Sequence, residues 1–392
     1  MKNLRLLIIG GSLGVAVVAR AVYAPIPDQE KGREFAVSLR AGITYDTNIF
    51  GAPTHDIHSV VFDLSPKIAF NASLSEQTFL TADYRLSLDD FTNRPGQKLL
   101  DSHAFDARLA HSFSRDSTLD ITETFTLTHN PESTLAGVPI NADQSYLSNQ
   151  VDGHYSFSPV DKAGVVLKAR TIYYDYLSSV LGHELNRYEN LFGAEGTYSL
   201  LPDVKAAFEY RHEDVLYDNN ASTNDKHSDF LMGGADYSAG PKLSASGRLG
   251  IEYRQADGYG HQTVPYAEFS AKYDLSKESF VSAGYVYTLA ETSDPIHFTD
   301  EKMNRLFVNV QQSLSPLFVA SGSVDFEPSR LIGRLGLPSI NETTTRFGAA
   351  LSYLPAKNTT ISATYDYDYV NSGEVFRGMN RSRFGISGSY TF

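Results

Sequence analysis

The sequence predicts an all-β fold, a closed antiparallel up-and-down transmembrane β-barrel of about 18 strands. Apolar and polar residues alternate from residue 35 to the end of the chain. This alternation places successive side chains on opposite faces of a sheet. The connections alternate between short and long, and 24 Tyr and 23 Phe favour strands in a chain with no Trp.

The composition excludes several other classes of protein. The absence of Cys excludes a disulfide scaffold, a thiolate zinc site and a cysteine nucleophile. A formal net charge of -13 argues against a nucleic-acid partner, because nucleic-acid binders usually carry a basic patch. No cofactor motif is present; G-x-S-x-G occurs as Gly10-Gly11-Ser12-Leu13-Gly14, inside the apolar run near the N-terminus, and H-E-x-x-H does not occur.

The N-terminus has the pattern of an export signal. Lys2 and Arg5 precede the apolar run Leu6–Ala19, and small residues with two candidate cleavage points, after Ala21 or Ala24, follow it. The alternative is a membrane-anchoring helix, but this run is shorter than the roughly 20 residues needed to span a bilayer. We expect this organisation: signal peptide 1–24, short periplasmic segment 25–34 and transmembrane barrel 35–392.

Alternation defines each strand in turn. In the first strand Phe35, Leu39 and Ile43 share one face, and Phe384 and Ile386 do so in the last strand. The predicted strands are 35–45, 58–74, 77–90, 101–114, 117–129, 144–158, 162–176, 187–200, 203–217, 227–239, 242–255, 263–275, 278–290, 302–315, 317–328, 342–355, 358–371 and 380–392.

The connections indicate a membrane barrel rather than a soluble β protein. Short turns such as Ser75-Glu76 and Gly240-Pro241 alternate with long loops such as 130–143 and 329–341. Short periplasmic turns, long extracellular loops and an even strand number are typical of outer-membrane barrels. A β-sandwich or soluble repeat protein explains the alternation but not loops that are long on one side only. A barrel of this size leaves an aqueous channel, which suits a charged inner face.

Two segments resemble known outer-membrane sequences. The chain ends in Tyr390-Thr391-Phe392, which resembles the C-terminal signal read by the outer-membrane insertion machinery; Ser387 stands where the usual pattern has Gly. Residues 41–50, which contain Tyr-Asp-Thr-Asn-Ile-Phe, resemble the opening strand of the beta-barrel porin 2 family. That resemblance implies a barrel in a Gram-negative outer membrane and, more weakly, a link to exopolysaccharide production.

The odd or even position of a residue along its strand, which we call its parity, decides which face of the sheet its side chain occupies. Parity assigns charged side chains to the inner face of the barrel. Rings of charge set ion preference in pores, so these residues are the candidate lumen lining, although cross-strand pairing that only solvates the wall is an alternative. A register error of one residue would move a whole strand to the wrong face. The predicted lining residues are Arg40, Arg85, Arg108, Lys168, Arg170, Arg211, Arg248, Arg254, Arg346, Arg383, Asp83, Asp106, Asp152, Glu195, Glu209 and Glu252.

Aromatic side chains on the opposite face predict a girdle at the membrane interface, where rings lie at headgroup depth. The lipid partners would be outer-membrane lipid and lipopolysaccharide. A sugar-binding aromatic track is the alternative, but it would have to line the lumen. The girdle residues predicted toward the short turns are Phe113, Phe157, Tyr198, Tyr237, Tyr273, Tyr353 and Phe392.

A few polar residues break this rule or suggest other chemistry. His111, Glu123 and Asp175 take outward parity, and Glu123 indicates a register slip, a bulge or a subunit contact. His55, Asp56 and His58 lie together in the first loop, but such spacing is common by chance. We therefore predict no metal site and no catalytic residue.

Four functions fit these observations. The first is a porin-like outer-membrane channel that passes small polar or saccharide solutes through a charged aqueous lumen. The second is an accessory barrel for exopolysaccharide secretion. The third is an outer-membrane hydrolase with an active site at the rim, which would need a His beside an Asp or Ser at the loop end. The fourth is a structural or adhesive barrel whose loops carry the function.

Overall fold

The computed structural model describes residues 34–129, 145–218, 224–374 and 377–392. The predicted signal peptide 1–24, nearly all of the segment 25–34, and the loop 130–143 lie outside the described residues. Within the described ranges, no helix has the length and apolar character needed to cross a membrane.

The strands follow one another around a single sheet. They are β1 (Phe35–Asp46), β2 (Ser59–Ser75), β3 (Thr78–Phe91), β4 (Leu99–Ser114), β5 (Ser117–Thr128), β6 (Tyr146–Val160), β7 (Ala163–Tyr176), β8 (Arg187–Leu201), β9 (Val204–Tyr217), β10 (Lys226–Ala239), β11 (Leu243–Ala256), β12 (Gly260–Asp274), β13 (Phe280–Ala290), β14 (Phe298–Ser315), β15 (Phe318–Gly333), β16 (Ile340–Ala356), β17 (Thr359–Ser372) and β18 (Met379–Thr391). One short helix, α1 (Ser179–Leu185), lies between β7 and β8.

The sheet closes on itself. Each strand pairs antiparallel with its sequence neighbours, and β1 pairs with β18 to complete an 18-stranded cylinder. Leu39 lies opposite Tyr390 and Ile43 opposite Ile386, and the Phe392 N–H donates to the Val37 carbonyl at 2.8 Å. Closure leaves no edge strand with unpaired backbone groups. The predicted fold class is confirmed.

The apolar face of the sheet points away from the interior. Leu39, Leu249 and Ile386 expose 38%, 56% and 66% of their surface. Between such residues lie buried charged ones, including Arg248 and Glu252 on β11. The barrel therefore has no continuous apolar core. Of the small apolar clusters, one lies near strand ends and contains Ile49, Val61, Phe91 and Leu100, and another lies midway along β10 and β12 and contains Phe230, Met232 and Tyr266.

The loop lengths follow the predicted pattern with one correction. The connection predicted as the long loop 256–262 contains only residues 257–259 between β11 and β12. Gly258 and Gly260 adopt positive φ angles of 78° and 84°, which permit this tight turn. We call the two ends of the barrel the short-turn end and the long-loop end.

Two further differences concern strand ends and α1. β14 begins at Phe298 rather than 302, and β15 ends at Gly333 rather than 328. The loop predicted at 177–186 contains α1, in which Leu181 and Leu185 are buried against Tyr176. This tertiary contact, rather than helix propensity, explains a helix of only seven residues.

The Tyr-Asp-Thr-Asn segment fastens the first loop to β18. Asp46 accepts hydrogen bonds from Arg381 Nε at 3.0 and 3.1 Å and from the Asn48 N–H at 2.9 Å. The Asn48 amide donates to the carbonyls of Ala52 at 2.7 Å and Asn380 at 3.1 Å. Asn48 has no exposed surface, so it fixes the seam between the first and last strands at the long-loop end.

Candidate functional site on the inner wall

Contacts between strands that are not neighbours identify the inner wall. Lys168 on β7 donates to Glu209 on β9 at 2.7 Å, and Arg254 on β11 donates to Asp300 on β14 at 3.0 Å. In a closed cylinder such contacts can form only across the interior. By the same register, the charged residues assigned to the inner face by parity lie on inward positions.

A central cluster lies about halfway along β7 to β11. Glu209 accepts from Lys168 Nζ and from Arg211 Nε at 2.6 Å. Glu195 accepts from Lys168 at 3.0 Å and from Arg248 Nη2 at 3.1 Å. The central cluster thus joins Lys168, Glu195, Glu209, Arg211 and Arg248, all of which parity had placed inside.

Further contacts extend the central cluster across the interior. Arg211 Nη1 donates to the Tyr266 hydroxyl at 3.0 Å and to Glu268 at 3.4 Å, which ties β9 to β12. Arg248 Nη1 donates to Asp236 at 2.9 Å. The two Arg211 bonds span β9 and β12, which do not pair, whereas the Arg248 bond joins the paired strands β11 and β10. Together they brace one half of the barrel.

An upper cluster lies nearer the long-loop end. Arg254 donates to Glu252 Oε1, to Glu291 Oε1 and to Asp300 Oδ1, each at 3.0 Å. Lys226 donates to Glu291 at 2.6 Å and lies 3.4 Å from Asp300. The upper cluster therefore joins strands β10, β11 and β14 with the connection between β13 and β14.

Arg170 and Glu213 attach to the edge of the upper cluster. Arg170 Nη2 donates to Glu213 Oε1 at 2.9 Å, and Glu213 lies 3.9 Å from Arg254. Glu252 also accepts from the Thr288 hydroxyl at 3.0 Å and the Leu289 N–H at 3.1 Å. Ion pairs and hydrogen bonds therefore link the residues of the upper cluster in an unbroken series from β7 to β14.

The side chains of both clusters are largely inaccessible to solvent, and we call the two clusters dry for that reason. Glu209 and Glu252 have no exposed surface, and Arg254 exposes 2%. A buried charge without a partner is strongly destabilising, so each of these groups depends on its partners. Burial alone would raise the pKa of Glu291, but Lys226 and Arg254 outweigh it and hold that pKa below its ordinary value.

The wall formed by β1 to β5 has a different character. Inward charges on this wall form pairs between neighbouring strands, as in Arg40 with Asp63 at 3.2 Å and Arg108 with Asp120 at 3.0 Å. The Arg40 side chain remains 48% exposed and that of Arg108 29% exposed. Water therefore reaches this side of the interior, and we call it the wet wall.

The remaining predicted residues are not drawn into either cluster. Asp83 lies 3.5 Å from Lys67, Asp106 accepts from the Thr124 hydroxyl at 3.2 Å, and Arg383 donates to Asp368 at 3.0 Å. Asp152 accepts from Gln150, while Arg85 and Arg346 are partly buried on β3 and β16. The inner wall is thus divided between a dry, braced sector and sectors of local pairs.

Several members of the clusters were absent from the predicted lining. Glu213, Asp236 and Glu268 share the inward parity of their predicted neighbours, so the alternation already contained the signal that identifies them. Lys226 and Asp300 lay in segments predicted as loops, where parity does not apply. They become inward-facing only because β10 and β14 begin earlier than predicted.

The aromatic residues predicted toward the short turns all lie exposed on the outer face. Their exposed fractions run from 37% for Tyr353 to 66% for Phe392. At the long-loop end, Tyr173 stacks on Tyr188 with ring centroids 4.6 Å apart. The outer surface therefore presents rings at both ends of the strands.

The polar residues with outward parity have three different settings. His111 bonds the Thr78 hydroxyl at 2.8 Å near a short turn, and Asp175 accepts from Asn186 at 2.7 Å near the end of β7. Glu123 lies mid-strand opposite Ala107 and the exposed Val151, with continuous register on both sides. Neither a slip nor a bulge accounts for Glu123.

The first loop shows no gathering of its His residues. Asp56 accepts from the Asn48 amide at 3.3 Å, while His55 is bonded to the Thr54 hydroxyl at 3.3 Å and His58 lies near the Tyr45 ring. These residues form part of the loop's own packing.

No known protein family and no curated protein matches the sequence. Solved structures with a similar fold include OpdK from Pseudomonas aeruginosa (12% identity, 91% of this chain and 98% of that chain covered, TM-score 0.47). Others are OccAB4 from Acinetobacter baumannii (9% identity, 92% and 99% covered, TM-score 0.46) and the FrpB iron transporter from Neisseria meningitidis (9% identity, 95% and 83% covered, TM-score 0.43).

Proposed function

We propose that this chain is a porin-like channel of a Gram-negative outer membrane that passes small polar solutes by diffusion. The observation that carries the proposal is a closed cylinder whose exposed outer face is apolar and whose inner wall is ionic and partly wet. An apolar outer face of this extent is stable against lipid, and a closed barrel satisfies every backbone group there.

The wet wall supports a passage that runs off the barrel axis. The central and upper clusters fill the interior along β7 to β14, where their side chains are dry. Arg40, Arg108 and Asp120 on the opposite side keep 48%, 29% and 34% of their side-chain surface exposed. A solute would therefore meet the charges of the wet wall first.

The wet wall also supports saccharides as a class of solute to test. Thr122, Thr124 and Thr126 on β5 face inward beside Asp106 and Asp120 by strand register. Hydroxyl and carboxylate groups together offer both donors and acceptors to a neutral sugar. Liposome-swelling rates with sugars of increasing size would measure this permeability.

Planar-bilayer recording of the purified chain tests the channel. We expect stepwise conductance, and we expect Arg40→Gln to shift the reversal potential in a KCl gradient toward cation selectivity. The physical reason is that the Asp63 carboxylate, 3.2 Å from the exposed Arg40 side chain, would lose its counter-charge. The matched control is Lys277→Gln, which removes one cation from a turn.

The proposal has a clear contrary result. If the folded barrel inserts into the bilayer and passes no current at any voltage, the interior is closed and the channel function is wrong. If Arg40→Gln and Lys277→Gln shift the reversal potential equally, selectivity does not arise at the wet wall.

A further inference from the structure

A cluster of His and Asp side chains lies on the outer surface of the barrel, near the long-loop end of β9 and β10. Strand register places His212 opposite Asp229 and Asp214 opposite His227. These positions share the outer face with Phe208 and Leu231, which are 59% and 47% exposed. The cluster lies between this apolar surface and the long-loop ends of the two strands.

Two imidazole nitrogens converge on one carboxylate oxygen. His212 Nε2 lies 3.1 Å from Asp214 Oδ1, and His227 Nδ1 lies 2.5 Å from the same oxygen. The ligand atoms of the three residues lie within 4.8 Å of one another. A tetrahedral zinc ion with bonds of about 2.0–2.1 Å has ligand atoms about 3.3 Å apart, so small side-chain rotations would form such a site.

A second carboxylate holds the orientation of His212. His212 Nδ1 is bonded to Asp229 Oδ1 at 2.9 Å, and the Tyr210 hydroxyl donates to the same oxygen at 2.6 Å. Metal-binding imidazoles usually donate their other N–H to a carboxylate in this way. With its proton on Nδ1, His212 directs the Nε2 lone pair at Asp214. Two acceptors face each other favourably only with a cation or an extra proton between them.

The surroundings supply no other cation. Among the described residues, the ion pairs of Asp214 and Asp229 are with His212 and His227, and none is with Lys or Arg. The side chains of His212, Asp214 and His227 are 37%, 28% and 43% exposed, so an ion can enter from outside the barrel.

We propose that His212, Asp214 and His227 bind one divalent transition-metal ion of the zinc class on the outer surface of the barrel. Two imidazoles and one carboxylate suit zinc, nickel or copper better than magnesium or calcium, which prefer oxygen ligands. Three protein ligands leave at least one position open to water or to an anionic group. Asp229 acts as a positioning residue. The site is separate from the lumen and does not depend on conduction.

Calorimetric titration of untagged, chelator-treated full-length protein with Zn²⁺ tests the site. We expect one ion per chain, with binding weakened at least about 30-fold in His212→Gln and in His227→Gln. Asp229→Asn retains all three ligands and should weaken binding about 10-fold, as loss of a supporting carboxylate does elsewhere. The matched control is His297→Gln, because His297 also bonds an Asp, Asp294, at 2.9 Å but lacks a second His; its affinity should stay within twofold.

Several results would overturn the proposal. One is the absence of Zn²⁺ binding at micromolar concentration by wild-type barrel whose folding has been verified by circular dichroism. In that case a shared proton, and not a metal ion, would join the His and Asp side chains of the cluster. Others are equal affinity in wild type and in the His212→Gln variant, or displacement of Zn²⁺ by equimolar Mg²⁺.

Discussion

Glu209 shows how strongly single residues of the inner wall depend on their partners. Its side chain has no exposed surface and accepts from Lys168 at 2.7 Å and from Arg211 at 2.6 Å. We expect Glu209→Gln to lower the free energy of unfolding by about 3 kcal/mol, because buried cations lose their counter-charge. Urea unfolding from lipid vesicles measures it.

The exposed turn residue Asp116 provides the control for Glu209. Asp116→Asn should change the free energy of unfolding by less than about 0.5 kcal/mol, as surface substitutions usually do. A loss below about 1 kcal/mol in Glu209→Gln would contradict a dry central cluster and indicate that water solvates those cations.

Residue parity predicts only part of this arrangement. It placed Lys168, Glu209 and Arg248 on the inward face, because alternation is a local property of each strand. It could not predict the contacts between β9 and β12 or between β11 and β14, because contacts across the interior depend on barrel curvature and side-chain length. The division into a dry sector and a wet wall therefore appears only in the folded cylinder.

At the scale of the element, β5 carries one charge that conflicts with its surroundings. Glu123 lies midway along the outer face of the strand, between Ala107 and Val151. We expect Glu123→Leu to raise the free energy of unfolding in lipid by about 1–2 kcal/mol, because carboxylates on a lipid face are penalised by depth. Urea unfolding from vesicles is again the measurement.

Glu76 in a short turn is the control for Glu123. Glu76→Leu replaces the same side chain outside the apolar surface and should leave stability within about 0.5 kcal/mol. If Glu123→Leu destabilises the barrel instead, Glu123 has a polar partner, which would favour contact with a second copy of the chain.

The positions of the strands could be predicted well from the sequence, and the conformations of the connections less well. Every predicted strand corresponds to an observed one, because the period-two pattern extends over most of each strand. The tight turn 257–259 was missed because Gly258 and Gly260 could equally belong to a flexible loop. Helix α1 was missed because burial of Leu181 and Leu185 stabilises it, and no local pattern reports that contact.

At the scale of the whole molecule, the last strand must find the first before the cylinder closes. The Phe392 N–H donates to Val37, and the Phe392 ring packs edge-to-face on Tyr390 with centroids 4.9 Å apart. We propose that the insertion machinery of the outer membrane reads this terminus. Phe392→Ala should then lower the amount of folded barrel in cells several-fold, measured by immunoblot of outer-membrane fractions.

Two comparisons separate recognition from stability in that experiment. Refolding of Phe392→Ala into vesicles should proceed within twofold of the wild-type rate, because no machinery is present there. Phe113→Ala removes a similarly exposed ring, 56% against 66%, from an internal strand. Equal losses for both variants in cells would show that the terminal position has no special role.

The dry clusters also separate rigidity from permeability. Salt bridges that skip over neighbouring strands stiffen one half of the cylinder, while the part built from β1 to β5 is held by its ladder bonds and by local pairs. Substitutions on that second part should therefore change what the molecule admits at little cost in stability. Mutations on a few adjacent strands could therefore change which solute the barrel passes, while the residues of the dry clusters stay the same.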